Sequence, residues 1–419
     1  MSDVQEGYKQ TEVGVIPQEW EVKTLGDCLL KKPEYGINAA AVPYSDNLPV
    51  YIRITDISED GKFLPEKKTS VSNINSNNYF LEKDDIVFAR TGASTGKTYL
   101  YNSKDGELVF AGFLIRIKVN PNELNAQYLK SYTETGAYRN WVKIMSMRSG
   151  QPGINGNEYA QLQIPCPPLP EQTAIASALS DVDALITALE QLITKKRNIK
   201  QGAMKELLKP KEGWEVKLLK EVVDNFIDYR GVTPKKLGME WGNGNIPALS
   251  ANNVQMGYID FEKECYYGSE ELYKKWMRNG DCGKDDVVIT MEAPLGNIAY
   301  IPDDKKYILS QRTVLLKSSD LMDKVFLRFY LMNSDFQKKL LEKASGSTAQ
   351  GIQRKTFEKL EIAFPVNKNE QTAIATILSD MDAEIEALEE KQDKYKALKQ
   401  GMMQELLTGK TRLIKENKV

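Results

Sequence analysis

The stretch Thr91–Thr98, TGASTGKT, holds the glycine, lysine and hydroxyl residues that could cradle a phosphate. A phosphate-binding loop needs a glycine, four residues and then Gly-Lys-Ser/Thr, so that backbone N–H groups converge on the anion. Only three residues separate Gly92 from Gly96, and Thr91 stands where the first glycine should be. The related stretch Ala293–Asn297, APLGN, has no lysine. A strand–turn–strand with Gly96 and Gly296 in the turn is the better reading. From such a turn Arg90, Thr91, Ser94 and Lys97 can still reach toward a phosphate backbone. Asp84-Asp85 and Asp285-Asp286 are paired carboxylates. A nuclease metal site would need a further carboxylate and a lysine in defined places, so these pairs read as turn residues at the start of a strand.

Cys166-Pro167-Pro168-Leu169 lacks the acidic or amide first residue and the aromatic last residue of the amino-methyltransferase motif, and no GxGxG cofactor loop accompanies it. The chain has no histidine. That excludes Ser–His and Cys–His triads, histidine general bases and histidine-containing zinc sites. The cysteines, Cys28, Cys166, Cys265 and Cys282, form no CxxC pair, which suits a reducing compartment. No metal or cofactor site is expected on this chain.

Two polar, glycine-rich loops are more informative. One, at 148–157, carries Arg148, Ser149, Gln151 and Asn155; the other, at 345–354, carries Ser347, Thr348, Gln350, Gln353 and Arg354. Arginine and glutamine pair bidentately with guanine and adenine edges, while serine and threonine reach phosphates. Arg53 and Thr55 are answered by Ser250, Asn252 and Asn253 as a second pair of polar clusters. Arg230 and Asn297 complete the set of candidate DNA contacts.

The elements that must position these loops are set by a repeat. Glu171–Lys211 and Glu370–Lys410 superpose without a gap at an offset of 199, with 24 of 41 positions identical, so the chain is an internal duplication. Each copy reads as one long helix of roughly 55–60 Å. Ile175, Val182 and Leu189, with Ala178, Leu185, Leu192 and Ile199 three residues later, give the first an apolar seam. Ile374, Met381 and Leu388 keep that spacing in the second. The economical arrangement packs the helices on each other, with those six residues at the pairing and subunit-docking seam. Gly202 and Gly401 fall at equivalent interior sites, where glycine costs about 1 kcal/mol, which predicts close helix approach or a bend. Asn369 is the expected N-cap of the second helix.

Before each helix lies a globule of short strands and helices. Trp20-Glu21-Val22-Lys23 is answered by Trp214-Glu215-Val216-Lys217, and Pro49–Ile57, Gly112–Lys118 and Asn125–Met147 have counterparts at Ile246–Val254, Gln311–Lys317 and Val325–Leu341. The expected fold class is α+β: two mixed α/β globules separated by long helices. The divisions are 1–168 for a first globule with an N-terminal arm, 169–210 for the first helix, 211–368 for the second globule and 369–419 for the second helix and tail. The repeat also predicts that residues 1–18 and the tail from Thr408 meet where Lys209–Gly213 joins helix to globule. Net charge is −2 and the pI about 5.8, so the chain as a whole is no basic nucleic-acid coat. No apolar run reaches membrane length and the start is polar, which predicts a cytoplasmic protein without membrane contact.

The opening YKQTEVGVIPQEWEVKTLGD (8–27), the stretches PLPEQTAIASALSDVDALI (168–186) and EQTAIATILSDMDAEIEAL (370–388), and the endings KQGAMKELL (200–208) and KQGMMQELLTGKTRL (399–413) carry a resemblance over nearly the full length. The chain resembles the specificity subunit of type I restriction–modification systems. The resemblance implies that each globule is a target recognition domain reading one half of a bipartite, asymmetric double-stranded DNA site. It implies that the helices run antiparallel as a coiled coil, set the gap between half-sites and dock two modification subunits. Those subunits carry S-adenosylmethionine. Restriction subunits, with ATP and magnesium, join the same assembly, and the specificity subunit is not an enzyme. Two competing readings are a coiled-coil scaffold binding proteins or glycans and an ATPase using Gly92–Thr98. A specificity subunit of a methylation-only system is a variant within the favoured class.

Overall fold

The structure, a computed structural model, describes residues 6–147, 151–346 and 350–414. Arg148, Ser149, Ser347 and Thr348 of the candidate set lie outside the described residues. The chain divides into two units. Residues 1–190 with 390–419 form the first, and residues 191–389 form the second. Each unit holds one globule and one half of each long helix. Those helices, Leu169–Leu207 and Lys368–Leu406, have 39 residues apiece.

The first unit is built on a four-stranded antiparallel sheet in the order Glu34–Tyr35, Leu114–Lys118, Asp85–Ala89, Thr98–Leu100. Its central strand Asp85–Ala89 is apolar on both faces because both are covered, which explains the unbroken run Ile86-Val87-Phe88-Ala89. One face takes Tyr128, Tyr138 and Tyr159, and Phe88 meets the Tyr159 ring edge-on at 4.9 Å. The other face supports a second sheet, in which Leu108–Phe110 runs parallel to Val50–Ile52. The second unit repeats the plan. Its main sheet runs Val223–Asp228, Thr313–Ser318, Val287–Met291, Leu295–Tyr300.

The doubled carboxylates are turn residues, each with a further duty. Asp84 and Asp285 take left-handed φ of 66° and 65°. Asp85 and Asp286 are buried at the strand starts, where Lys118 lies 3.4 Å from Asp85 and Lys317 pairs with Asp286. Buried carboxylates need such partners to stay ionised. Gly96 sits in the hairpin turn at φ 89°, whereas Gly296, at φ 90°, lies within the strand Leu295–Tyr300 where its pairing with Val287–Met291 is irregular, which corrects its expected place in the turn.

Several expected elements are shorter than the apolar pattern suggested. Pro49–Ile57 is a strand only over Val50–Ile52, after which Ile54–Asp56 turns as a 3-10 helix. The helical pattern in Asn125–Met147 breaks into Ala126–Tyr132 and Gly136–Met145, because Thr135 caps a new helix by accepting a hydrogen bond from Tyr138 N. Asn333 splits Val325–Leu341 in the same way.

In the first unit the start of the first long helix packs against the end of the second. Ile175, Leu179, Met403, Leu406 and Leu407 share one buried cluster. In the second unit Met204 and Leu208 meet Ile374 and Leu378. The packing is therefore antiparallel in each. The seam of the first helix runs through Ile175, Leu179, Val182, Ile186, Leu189 and Ile193, all buried, at alternating spacings of four and three. Leu185, Leu192 and Ile199 are off the seam at 47%, 38% and 47% exposure, which corrects their assignment to it. The candidate docking residues Ile175, Val182, Leu189 and Ile374 are buried within the chain, and Met381 and Leu388 are half-buried. A Cβ at Gly202 or Gly401 would meet nothing within 4 Å. Close approach within the chain is thus not the reason for either glycine. The second helix is capped by Asn367, whose side chain accepts from Asn369 N at 2.9 Å, so Asn369 is not the cap.

The termini meet within the first unit. Tyr8 donates to the Gly409 carbonyl at 3.0 Å, and Arg412 joins Glu19 and Glu171. Lys209–Gly213 belongs to the second unit, so the meeting place is that link's counterpart and not the link itself.

Candidate nucleic-acid interface

In the first unit the strand Asp85–Ala89 delivers Arg90 to the sheet's end. Arg90 N donates to Phe113 O at 3.0 Å, and Arg90 O accepts from Ile154 N at 2.9 Å. Gly92 N donates to Pro152 O at 3.0 Å, so the segment 151–154 crosses this end of the sheet. The Arg90 guanidinium lies 4.9 Å over the ring of Tyr35, whose hydroxyl accepts from Gly156 N. Among the described residues no carboxylate pairs with Arg90. Phe113 is 59% exposed beside it, and Gln151 is exposed against Gly92. Among the described residues the result is a shelf with one cation, one amide and two aromatic rings, all in reach of a nucleic-acid strand.

The second unit puts different chemistry in the same frame. Glu292 bridges to Gly351, as Thr91 bridges to Gly153. Met291 N bonds to Arg312 O at 2.7 Å, as Arg90 N bonds to Phe113 O. Asp228 pairs across the sheet with Val314, as Tyr35 pairs with Ile115. The shelf residues here are charged. Arg230 donates to Asp228 through Nε and Nη2, Arg354 Nε meets Glu358 at 2.6 Å over the Phe226 ring, and Arg312 lies 3.8 Å from Glu292. Burial alone would raise the Asp228 carboxyl, but the Arg230 hydrogen bonds hold it below its ordinary value. Gln350 and Gln353 are exposed on the crossing loop.

Other candidates are turned to structural work. Arg53 is drawn down by Asp56, which accepts from its Nε, Nη2 and backbone N, and Thr55 donates to the same carboxylate. Lys97 bends back to Glu59 at 2.6 Å and toward the Ile57 carbonyl, while Gly96 abuts Val142. No phosphate cradle is left in Gly92–Thr98, and the ATPase reading loses its lysine. Ser94 lies in the short turn Gly92–Ser94. Asn253 is fully buried, bonded to Ser250 N and Ala248 O, which corrects its candidacy as a contact. Ser250 accepts from Asn252 N, and the Asn252 amide goes to Glu264. Asn297 binds the Val254 carbonyl, and Asn155 caps Gly156–Ala160 by accepting from Glu158 N. Tyr35, Phe113, Asp228, Glu292 and Arg312 escaped the sequence reading. Their signal was weak: a bulky or charged residue just before or after a strand.

The model of the type I restriction modification DNA specificity domain matches this chain twice, at residues 17–201 and 211–396, and the chain belongs to that family. The putative type I restriction enzyme MjaX specificity subunit of Methanocaldococcus jannaschii is 29% identical over 98% of this chain and 97% of its own length. The MjaVIII specificity subunit of the same organism is 25% identical over the same shares. Among solved structures, a type I restriction–modification S subunit from M. genitalium superposes with a TM-score of 0.60 at 14% identity, covering 96% of this chain and 97% of that one. A chain of another type I system gives 0.56 at 17% identity, covering 94% and 99%. The chain is thus a specificity subunit of a type I system, a non-catalytic component whose reactions belong to partner subunits. Among the described residues no helix is long and apolar enough to cross a membrane.

Proposed function

We propose that the chain selects the DNA sequence on which its complex acts, each globule reading one half of a bipartite, asymmetric site. One observation carries this reading. The two units share a backbone frame, yet where one has Tyr35, Arg90 and Phe113 the other has Asp228, Met291 and Arg312, with Arg230 two residues past Asp228. A frame held constant while its shelf changes is what two different half-sites require. One domain used twice would read a palindrome. The long helices set the gap between half-sites. Outward-facing Leu185, Leu192 and Ile199, with open Gly202 and Gly401, offer surface for two modification subunits. S-adenosylmethionine resides on those subunits, and ATP and magnesium on restriction subunits that join them. The complex works in the cytoplasm.

Exchanging residues 19–168 for the matching domain of another such subunit should change one half-site and leave the other intact, as read by methylome sequencing of a host that also expresses the modification subunit. A change in both halves would sink the division of labour. The pI near 5.8 supports a second expectation. The lone subunit should bind DNA weakly, and adding modification subunits, which contribute phosphate contacts, should raise the affinity in fluorescence anisotropy.

A further inference from the structure

Arg230 is the best-oriented cation on either shelf. Its Nε donates to both Asp228 oxygens at 2.9 and 3.1 Å, its Nη2 donates to Oδ2 at 2.6 Å, and its backbone N donates to Oδ1 at 3.0 Å. The Asp228 side chain is only 12% exposed and ends a sheet strand, so the guanidinium plane is fixed from beneath. A guanidinium has five N–H donors. Two point at Asp228, which leaves one on Nη2 and one on Nη1 side by side at the end of the group and a third on Nη1, and the Arg230 side chain is 28% exposed.

What that end suits follows from the charge beside it. A phosphate would be attracted by the arginine and repelled by Asp228 a few ångströms behind it, so the pair gains little from an anion. A neutral acceptor pair feels no such repulsion and benefits from the locked plane, because little rotamer freedom remains to be lost on binding. In a DNA groove the neutral in-plane pair with this spacing is O6 and N7 of guanine. Arg354 and Arg312 also carry carboxylate neighbours, Glu358 and Glu292, so this shelf as a whole is ill-suited to phosphate. Arg90 in the other unit pairs with no acid among the described residues and lies on a ring, an arrangement open to phosphate or to a stacked base.

The geometry points to Arg230 as the residue that reads a guanine in the half-site of the second globule, with Asp228 as its positioning residue. This rests on the DNA-reading function proposed above. The test uses the complex with modification subunits. Methylome sequencing gives the site, and exchange of residues 214–365 shows which half belongs to this globule. Each guanine of that half is then replaced by 7-deazaguanine, which lacks the N7 acceptor, or by inosine, which keeps O6 and N7. At one position 7-deazaguanine should weaken anisotropy-measured binding about 10- to 100-fold while inosine does not. R230K and R230A should lose the same factor on the natural site, become insensitive to 7-deazaguanine and relax the methylome at that base alone. D228N should lose less. R230K also guards against a folding defect in R230A, as do matched unfolding midpoints.

A half-site without a G·C pair overturns the assignment. So does R230A with unchanged specificity, or with equal loss on specific and random DNA, which would mark a phosphate contact. If the wild-type complex shows no sequence preference, the parent reading fails instead.

Discussion

Glu171 and Glu370 begin the two halves of the internal repeat and sit five residues after the end of the same kind of exit strand, yet they live in opposite surroundings. In the first unit Glu171 is 1% exposed. It accepts from Trp20 Nε1 at 3.1 Å and is gripped by Arg412 through Nε at 2.5 Å and Nη2 at 2.7 Å. In the second unit Glu370 is exposed, and among the described residues its carboxylate meets only Trp214 Nε1, at 3.3 Å. Chain connectivity accounts for the difference. Between Leu207 and Trp214 the second unit is joined by its own backbone. The corresponding place in the first unit brings together two segments distant in sequence, around Tyr8–Trp20 and Gly409–Arg412, and side chains join them. There the hairpin Tyr8–Thr11/Gly14–Pro17 meets the tail, and Gly409, at φ 71°, is pressed on Pro17, where a Cβ would come within 2.4 Å. One residue type at one repeat position thus carries different energy according to whether the backbone or an ion pair does the joining.

The largest expected effect tests that contrast. R412A strands a buried carboxylate and should destabilise the first unit by about 3–5 kcal/mol, since breaking a buried pair costs far more than the pair contributes. E370Q, at an exposed site, should change the second unit by under about 1 kcal/mol. Hydrogen exchange resolved by peptide reads the two units separately. Equal effects would mean that the closure is not what holds the first unit together.

A second contrast lies at Lys399 and Lys200, identical residues at matched positions of the long helices. Lys399 joins Glu134 at 2.6 Å and Asp183 at 2.8 Å and is mostly buried. Lys200 pairs with the half-exposed Asp382 and lies 5.4 Å over the Phe329 ring. K399M removes a cation shared by the half-buried Glu134 and by Asp183 and should cost about 2–3 kcal/mol, against about 1 kcal/mol for K200M, an equally buried side chain that faces one acid. The reverse order would show that the ring contact outweighs the double ion pair.

The sequence carried the repeat, the long helices and the shared plan of the globules, because each rests on spacing or identity that survives without tertiary information. It could not place the seam. Leu185, Leu192 and Ile199 recur every seven residues as regularly as Ile175, Val182 and Leu189, and only packing decides which row faces the neighbouring helix. The shelves were legible in part. Arg90, Arg230, Gln151 and Arg354 stood out by type, whereas Asn253 and Lys97 looked equally good. Asn and Lys serve buried turns as readily as nucleic acid, and nothing local distinguishes the uses. Tyr35 and Asp228 became visible only through strand register, which places them across the sheet from Ile115 and Val314.

The smallest expected effect is one of pH. Burial would raise the Glu134 carboxyl, but Lys130 and Lys399, both against it, bring it below its ordinary value of 4.5. Asp183 faces Lys399 from the first long helix, and Arg139 donates to the Glu134 carbonyl rather than to its carboxylate. In the second unit the N-caps Asn125 and Asp323 align, so Arg328 takes the place of Lys130 and Met332 that of Glu134. Arg328 is buried between the Tyr300 and Phe329 rings, without a carboxylate at Met332 to answer it. A carboxyl whose folded pKa is depressed binds fewer protons folded than unfolded near pH 4. Its stabilisation is therefore complete above the unfolded pKa and fades as pH falls through the folded one. The stability gap between the wild type and E134Q in the first unit should accordingly be widest near pH 6 and shrink progressively below about pH 4.5, whereas M332Q in the second unit should show a gap independent of pH. Urea unfolding followed by peptide-resolved exchange at pH 6, 5, 4 and 3.5 gives both series. An E134Q gap that stays constant across them would mean that Glu134 acts by packing alone, and the charge contrast between the two units would lose its energetic meaning.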